Sequence, residues 1–360
     1  MAYLINLLII PVYYIIIASA ITNTEKRNKL FAIIVCVHAT LFRALANPYN
    51  YVDTDLYDEG FVTISGMTFQ EAILSINYYT HWGQGYLLFN WLLGRITSDS
   101  TFLFVTSSIL AVLPVIWFYY KASFRLLLPT LLYLSYPMMY FMGFGVLREH
   151  LAVPFVLLAL YYIDKLRISI PLAITAFFFH TSAIIFIPFF FWRKINFSSK
   201  NRGKIVIYIF IIVLVMRLAM GYVLSFMPKY EEITQSTESQ NNFIPVVLFG
   251  LISLYISAID FRKKGKLFGN IQSFTYYGLA VSLFSIGIPG LGRLTIYFLY
   301  VMPVAASLYL FFCKDLVKKS FLLLCILLIY ARQIYYFLEV KSMAYDFFWE
   351  QASAPTNLPL

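Results

Sequence analysis

Uncharged apolar runs alternate with short basic loops along almost the whole chain. An apolar run of about 18 residues or more is long enough to cross a hydrocarbon core about 30 Å thick. The runs predict ten full transmembrane helices, near residues 2–21, 30–47, 102–120, 126–145, 148–163, 205–227, 243–259, 268–290, 294–313 and 320–338. The predicted fold class is therefore all-α, a polytopic transmembrane helical bundle that forms a single integral membrane domain over residues 1–360.

Two apolar segments do not fit this pattern as simple spans. Residues 83–96 are short and must begin and end on the outer side, which predicts a half-helix or an interfacial helix. Residues 168–192 are uncharged but bounded by basic clusters, so a single crossing would place basic clusters on the wrong side. This segment predicts a re-entrant hairpin with His180 at its tip. Irregular backbone at that depth is tolerated only against protein or a water-filled cavity, so the hairpin predicts a cavity.

Composition excludes a soluble protein, because 61% of the residues are hydrophobic and 12% are charged, against roughly 25% charged residues in soluble domains. The net charge of +10 could suggest a nucleic-acid partner, but 19 of the 27 basic residues lie in short loops between the predicted spans. These loops are 26–29, 121–125, 165–167, 193–204, 262–266 and 314–319. Basic loops stay in the cytoplasm. We therefore expect no nucleic acid, and we place both termini and the polar loops 47–82 and 228–242 outside.

The basic residues outside the cytoplasmic loops are mostly arginines, six of eight. Arginine offers a planar fork that binds phosphate oxygens in a bidentate manner, whereas lysine suffices for topology. Five of these arginines lie in the outer halves of predicted spans or at outer helix ends: Arg43, Arg148, Arg217, Arg293 and Arg332. A charge at a helix centre costs about 2.5–3.5 kcal/mol on insertion scales. The alternative is snorkelling to lipid headgroups, but the whole set favours a phosphorylated ligand.

Several other polar residues are candidates for chemistry, each with a structural alternative. Glu149 follows Arg148 at a predicted helix start and either pairs with that arginine or contacts a ligand. Asp53 and Asp55 resemble the paired acids of some transferases, although solvated loop acids have the same pattern. His180 is either a packed core residue or a functional group at the hairpin tip.

Two further interpretations concern the segment that ends the first outer loop. Aromatic residues are expected at the membrane interface, and some of those near it, such as Trp82 and Tyr86, could stack on sugars. Arg95 and Asp99 are predicted to form an ion pair without a chemical role.

Four motifs resemble those of the EpsG-type family, a branch of the Wzy-like O-antigen and exopolysaccharide polymerases. In family order they are Val52-Asp53-Thr54-Asp55-Leu56-Tyr57, Leu147-Arg148-Glu149-His150-Leu151-Ala152, Phe177-Phe178-Phe179-His180-Thr181-Ser182-Ala183 and Arg293-Leu294-Thr295-Ile296-Tyr297-Phe298. One departure is Glu149, which stands where the resemblance leads us to expect glutamine. The motifs extend over most of the chain.

The resemblance implies a GT-C-like membrane glycosyltransferase whose active site faces the non-cytoplasmic side of a bacterial inner membrane. The implied reaction transfers a growing glycan from a polyprenyl diphosphate onto a lipid-linked repeat unit. Undecaprenyl-diphosphate-linked oligosaccharide would be both donor and acceptor, a chain-length regulator protein would be a further partner, and no cofactor or metal is expected. A diphosphate leaving group needs cations, and an acceptor hydroxyl needs a base.

These demands assign expected roles to the candidate residues. Arg148, which is also expected to be catalytic, binds diphosphate together with Arg293, Arg217, Arg43 and Arg332. His180 or Asp53 is the base, with no order between them, and sugar contacts come from Asp55, Tyr57, Glu149 and Tyr297. A flippase for the same lipid is one rival, but it must open to both sides, whereas the polar groups here cluster outside. A glycan ligase uses the same chemistry with another acceptor, and the sequence does not separate it from a polymerase.

Overall fold

A computed structural model describes residues 2–51, 53–74, 82–141, 143–195, 243–286 and 291–337, together with 346, 347 and nine positions between 207 and 218. Its regular α-helices in the continuous ranges are α1 (Ala2–Ala20), α2 (Thr24–Ala44), α3 (Thr54–Ser65), α4 (Phe69–Leu74), α5 (Gln84–Gly94), α6 (Ser100–Ala122), α7 (Leu127–Ser135), α8 (Pro137–Tyr140), α9 (Leu147–Tyr161), α10 (Leu166–Phe179), α11 (Phe189–Trp192), α12 (Phe243–Ile256), α13 (Lys266–Ser285), α14 (Ile296–Leu299), α15 (Met302–Phe312) and α16 (Leu316–Tyr335). The described residues contain no β-sheet, only an isolated antiparallel bridge between Ala46 and Phe347. The all-α class is confirmed.

The described helices include two that are long and apolar enough to cross a membrane, Tyr3–Ala20 and Ser100–Ala122. A third is added if the bent pair Leu291–Leu299 and Met302–Phe312, which meet at 43°, forms one span. The chain is thus an all-helical membrane protein, and ten full crossings stay a prediction. The span near 205–227 falls largely outside the described residues, and the outer loop 228–242 falls entirely outside them.

The continuous helix predicted over residues 126–145 is wrong, because the chain breaks at Tyr136. This residue is extended, with φ −97° and ψ 105°, and separates α7 from α8. The cause is Pro137, since the residue before a proline is disfavoured in the helical region.

The loop 47–82 also differs from a plain polar loop, because it carries α3 and α4. A capping box begins α4: the Glu71 carboxylate accepts from the Thr68 N–H at 2.8 Å, and the Thr68 hydroxyl accepts from the Glu71 N–H at 3.3 Å.

The chain divides into two compact units, residues 1–184 with 330–360, and residues 185–329. The first unit is built around α9, which packs against α6 and α10. The Ser169 hydroxyl on α10 donates to the Ala159 carbonyl on α9 at 2.8 Å, and the Phe155 and Phe179 rings stack at 5.3 Å. Because α10 runs back along α9, its last residues lie beside the first residues of α9.

The start of α5 packs directly on the end of α10. A Cβ atom on Gly83 would overlap the Phe178 carbonyl oxygen, and one on Gly85 would lie 2.9 Å from the Phe178 Cβ. Another close approach joins α5 to α3, since a Cβ on Gly60 would overlap the Trp82 ring. With 11 residues α5 is about 16 Å long, which is too short for a full crossing. These glycines bring α3, α5, α9 and α10 together at one end of the first unit.

The second unit is organised by α13, which packs against α12 and α11. Gln272 supplies hydrogen bonds to carbonyl groups at the end of α12. Its amide donates to the carbonyls of Ile256 and Ile259, both at 2.8 Å. Arg262 donates to the carbonyls of Arg193 at 2.8 Å and Ile195 at 2.7 Å. This contact joins two loops that were both predicted to be cytoplasmic.

Candidate active site

The centre of the candidate site is the first turn of α9, which carries Arg148 and Glu149. The N-cap residue Val146 makes no side-chain capping bond. The first N–H groups of a helix lack intrahelical partners, and the helix dipole favours an anion there. Arg148 is half-buried, and its cation gains nothing from the dipole at this end of a helix. An anion at this place would be stabilised by the guanidinium and by the helix together.

Tyr57 brings α3 into this site. Its side chain is 2% exposed and is hydrogen-bonded to the Arg148 guanidinium. Burial raises the pKa of the Tyr57 phenol, the charge of Arg148 and this hydrogen bond lower it, and the carboxylates of Asp53 and Glu149 raise it further. The phenol therefore keeps its proton at neutral pH and is able to donate a hydrogen bond. The same interactions place four predicted site residues, Asp53, Tyr57, Arg148 and Glu149, close together.

Asp53 has an unusual backbone for an N-cap residue. It precedes α3 with φ 65° and ψ 0°, and it is the only non-glycine residue with positive φ in the described ranges. Its carboxylate is exposed and makes no capping bond. Asp99, the N-cap of α6, shows the ordinary arrangement, with extended backbone and a carboxylate that accepts from the Thr101 N–H at 2.9 Å. The left-handed conformation leaves the Asp53 carboxylate available for another use.

His180 follows the last residue of α10 and connects to both sides through its ring. The Ser182 hydroxyl lies 2.5 Å from Nδ1, and the Ser182 backbone N–H donates to the same nitrogen at 3.4 Å. A backbone N–H can only donate, so Nδ1 accepts, and the hydrogen-bond pattern assigns the proton of the neutral ring to Nε2. Nε2 lies 3.6 Å from Glu149 Oε1. The ring is therefore hydrogen-bonded through Nδ1, and its Nε2 faces the Glu149 carboxylate.

A model of the EpsG family matches residues 32–350 of the chain. The chain belongs to the EpsG family. This confirms the resemblance drawn from the four sequence motifs, all of which lie within the matched range. Curated proteins and solved structures give no match to the chain. Membership makes the protein a membrane protein of the polysaccharide polymerase type in general, and a GT-C-like fold stays a prediction.

Three of the four EpsG motifs contribute to the site in the first unit, through Asp53, Tyr57, Arg148, Glu149 and His180. The fourth motif lies in the second unit. Its Arg293 is exposed in a 3₁₀ turn, Leu291–Thr295, and makes no hydrogen bond or ion pair with another described residue. Tyr297, its partner in the motif, is fully buried. Their predicted contacts with diphosphate and sugar remain predictions.

The remaining predicted site residues of the EpsG chain lie in different environments: one caps a helix, one is buried and two are exposed. Arg217, in the second unit, donates to the Leu283 carbonyl at 3.3 Å and to the Ile286 carbonyl, and so caps the end of α13. Arg43 is fully buried, and its expected contact with diphosphate stays a prediction. Arg332 is exposed in the last turn of α16, and Asp55 is exposed in the first turn of α3.

Two interpretations of the segment around α5 are also corrected. Trp82 is 3% exposed and Tyr86 is fully buried, so neither offers a ring face to a sugar. Their rings pack 5.0 Å apart, and each lies 5.9 Å from the ring of Tyr57. Arg95 does not pair with Asp99. Its guanidinium donates instead to the carbonyls of Ser65 and, at 3.2 Å, Met67, beyond the end of α3.

The residues that support the site were not recognised from the sequence. Trp82 and Tyr86 hold Tyr57 in place, and Ser182 fixes the His180 ring. The available signal was the pair Gly83 and Gly85 between the two aromatic residues, because glycines this close together often mark a tight approach of two segments.

Proposed function

We propose that this EpsG family member transfers a glycan from a polyprenyl diphosphate onto a lipid-linked repeat unit, on the outer face of a bacterial inner membrane. The observation that carries the proposal is the meeting of Arg148, Tyr57, Asp53, Glu149 and His180 at one helix start. These residues come from three separate family motifs. Together they offer a cation, a neutral hydrogen-bond donor and an exposed carboxylate, which are the groups that the reaction requires.

The diphosphate leaving group would lie at the start of α9. Arg148 provides the guanidinium fork, and the protonated Tyr57 phenol beside it adds a hydrogen-bond donor. Donors that are already in place stabilise the charge that develops on the leaving oxygen as the glycosidic bond breaks. The helix dipole acts in the same direction.

Asp53 is the proposed general base. The acceptor hydroxyl would attack the anomeric carbon, the bond to the diphosphate oxygen would break with its electron pair leaving on the diphosphate, and the hydroxyl proton would move to Asp53. Asp53 suits this role because its carboxylate is exposed and makes no capping bond. His180 suits it less well, since Nδ1 is engaged by Ser182 and Nε2 faces Glu149.

His180 and Glu149 are then proposed to position the site. Their contact joins the end of α10 to the start of α9, next to Arg148. Glu149 is 3% exposed, and a buried carboxylate is stable only when cationic or hydrogen-bonding partners surround it. Holding Arg148 to within a fraction of an ångström matters, because small misplacements of catalytic groups reduce rates strongly.

The experiment is incubation of the purified protein with synthetic lipid-linked repeat units, followed by separation of the products by size. A ladder of polymers is expected from the wild type, and none from Asp53→Asn, which keeps the size of the side chain and its tolerance of left-handed backbone. Asp99→Asn is the matched control, because asparagine caps a helix about as well as aspartate. Transfer of one unit to a different acceptor without a ladder would indicate a ligase, and a ladder from Asp53→Asn at the normal rate would exclude Asp53 as the base.

A further inference from the structure

Arg43 lies at the end of α2 with an unusual environment for a charged residue. It is fully buried, and one Nη donates to the Tyr140 carbonyl at 3.0 Å. The Tyr133 side chain is a second polar group beside the guanidinium. The guanidinium lies 5.0 Å from the centre of the Phe144 ring, and no carboxylate of the described residues forms an ion pair with it. A buried charge of this kind costs free energy that an apolar side chain would not.

Two helix ends offset part of this cost. Arg43 is in the last turn of α2, and Tyr140 is the last residue of α8. The carbonyl ends of helices attract cations, and this attraction is stronger when the group is partly buried. The structure therefore retains a buried cation between two helix ends.

A second hydrogen bond joins α8 to α2, this time with the donor on α8. The Tyr140 hydroxyl donates to the Ala39 carbonyl at 2.5 Å. Between Tyr140 and Phe144 stands Gly143, where a Cβ atom would overlap the Arg43 guanidinium. Arg43 thus contacts Tyr140 by a hydrogen bond, Phe144 by a ring contact and Gly143 by a close approach that only glycine permits.

This segment leads directly to the candidate site. Helix α9 begins at Leu147, three residues after Phe144, and Arg148 is its second residue. Since Val146 provides no side-chain cap, the direction of the helix start depends on how the preceding segment is packed. Arg43 is also near His150 in the first turn of α9.

We propose that Arg43 is a positioning residue for Arg148, which it orients through its contacts with Tyr140, Gly143 and Phe144. The proposal rests on the function proposed above, because it assumes that Arg148 binds a diphosphate. Arg43 itself touches no substrate. Its role is to determine where the guanidinium of Arg148 meets the ligand.

The test is a double-mutant cycle between Arg43→Met and Arg148→Lys, read out as the polymerisation rate and as the affinity for inorganic pyrophosphate. Arg43→Met should lower both by about 10-fold in the wild-type background, because a misplaced binding group loses most of its effect. In the Arg148→Lys background it should add less than about 2-fold, since residues that act through one another are not additive. Arg95→Met, which removes an exposed arginine from a helix end, is the control and should change neither measurement.

The proposal would be overturned if Arg43→Met caused the same fold-loss in the Arg148→Lys background as in the wild type. No loss from Arg43→Met would overturn it as well. If Arg43→Met does not fold, Tyr140→Phe serves instead, because it removes the bond to Ala39 and keeps the buried charge. It should give a smaller loss of about 3-fold with the same non-additivity, and independent losses would again refute the role. Wild-type protein that binds pyrophosphate through Arg148 but makes no polymer would contradict the proposed function alone, since the affinity cycle still tests Arg43.

Discussion

Arginines in this protein lie either at the carbonyl end or at the amino end of a helix, and the two positions have different electrostatic consequences. Besides the buried Arg43, three lie with their guanidinium groups on carbonyls at or just beyond the last turn of a helix: Arg95 at α3, Arg217 at α13 and Arg262 at α11. Arg148 lies at the first turn of α9 instead. In the sequence only Arg217 was grouped with Arg148, since Arg262 belongs to a basic loop predicted to be cytoplasmic and Arg95 was expected to pair with Asp99.

The direction of the helix decides what each arginine gains. A cation at a carbonyl end is stabilised by the helix, and hydrogen bonds from charged groups contribute about 1.5–3 kcal/mol. At an amino end the sign is reversed, so Arg148 is not explained by the helix it begins. A bound anion would reverse that cost. This difference supports the proposed ligand-binding role of Arg148, whereas the carbonyl contacts of the other three stabilise helix ends.

The largest expected effect that would sharpen this contrast is at Arg148. Replacing it with alanine should lower the polymerisation rate by at least about 100-fold, the usual loss when a charge-stabilising donor is removed. Arg148→Lys should still lose about 10-fold, because one point charge cannot reproduce bidentate contact. The measurement is the initial rate of ladder formation at equal amounts of folded protein. Arg95→Lys is the control, and equal rates for Arg148→Lys and wild type would remove Arg148 from the diphosphate site.

A smaller effect is expected at His180, which supports Arg148 from the neighbouring helix. His180→Gln should retain a measurable part of the rate, within about 10-fold, because glutamine can still hydrogen-bond and the base is expected elsewhere. Substrate affinity should fall more than turnover. Glu149→Gln should show the same pattern, since it keeps the size of the side chain that approaches Nε2 to 3.6 Å and removes only its charge. Complete loss of turnover in His180→Gln with substrate binding intact would instead make His180 the base.

The smallest effect on activity is expected at Arg262, which represents the carbonyl-end group. Arg262→Met should lower the free energy of unfolding by about 1–3 kcal/mol, through the loss of charged hydrogen bonds to the Arg193 and Ile195 carbonyls. Thermal unfolding in detergent measures this loss. The polymerisation rate per folded molecule should stay within about 2-fold. A large fall in that rate would break the contrast, since a helix-capping arginine would then also matter for chemistry.

Some of the fold follows from local sequence, whereas the site depends on distant contacts. The apolar run 148–163 predicted α9 to within two residues, and the chain indeed breaks at His180. The use of each arginine was not readable, because the carbonyls that Arg217 contacts are 66 and 69 positions away. The hydrogen bond between Tyr57 and Arg148 also joins residues far apart in the chain. The motif resemblance brought these residues to attention, but their spacing alone did not place them together.

The antiparallel pairing of α9 and α10 has a consequence for how this region can vary in length. The two helices have 15 and 14 residues, and their nearly equal lengths allow Glu149 and His180 to meet. One residue inserted in the middle of either helix would shift the residues beyond it by about 1.5 Å and rotate them by about 100°. Glu149 and His180 would then face different directions. Insertions and deletions are therefore expected to be tolerated in the loop around Asp164, and not within the two helices.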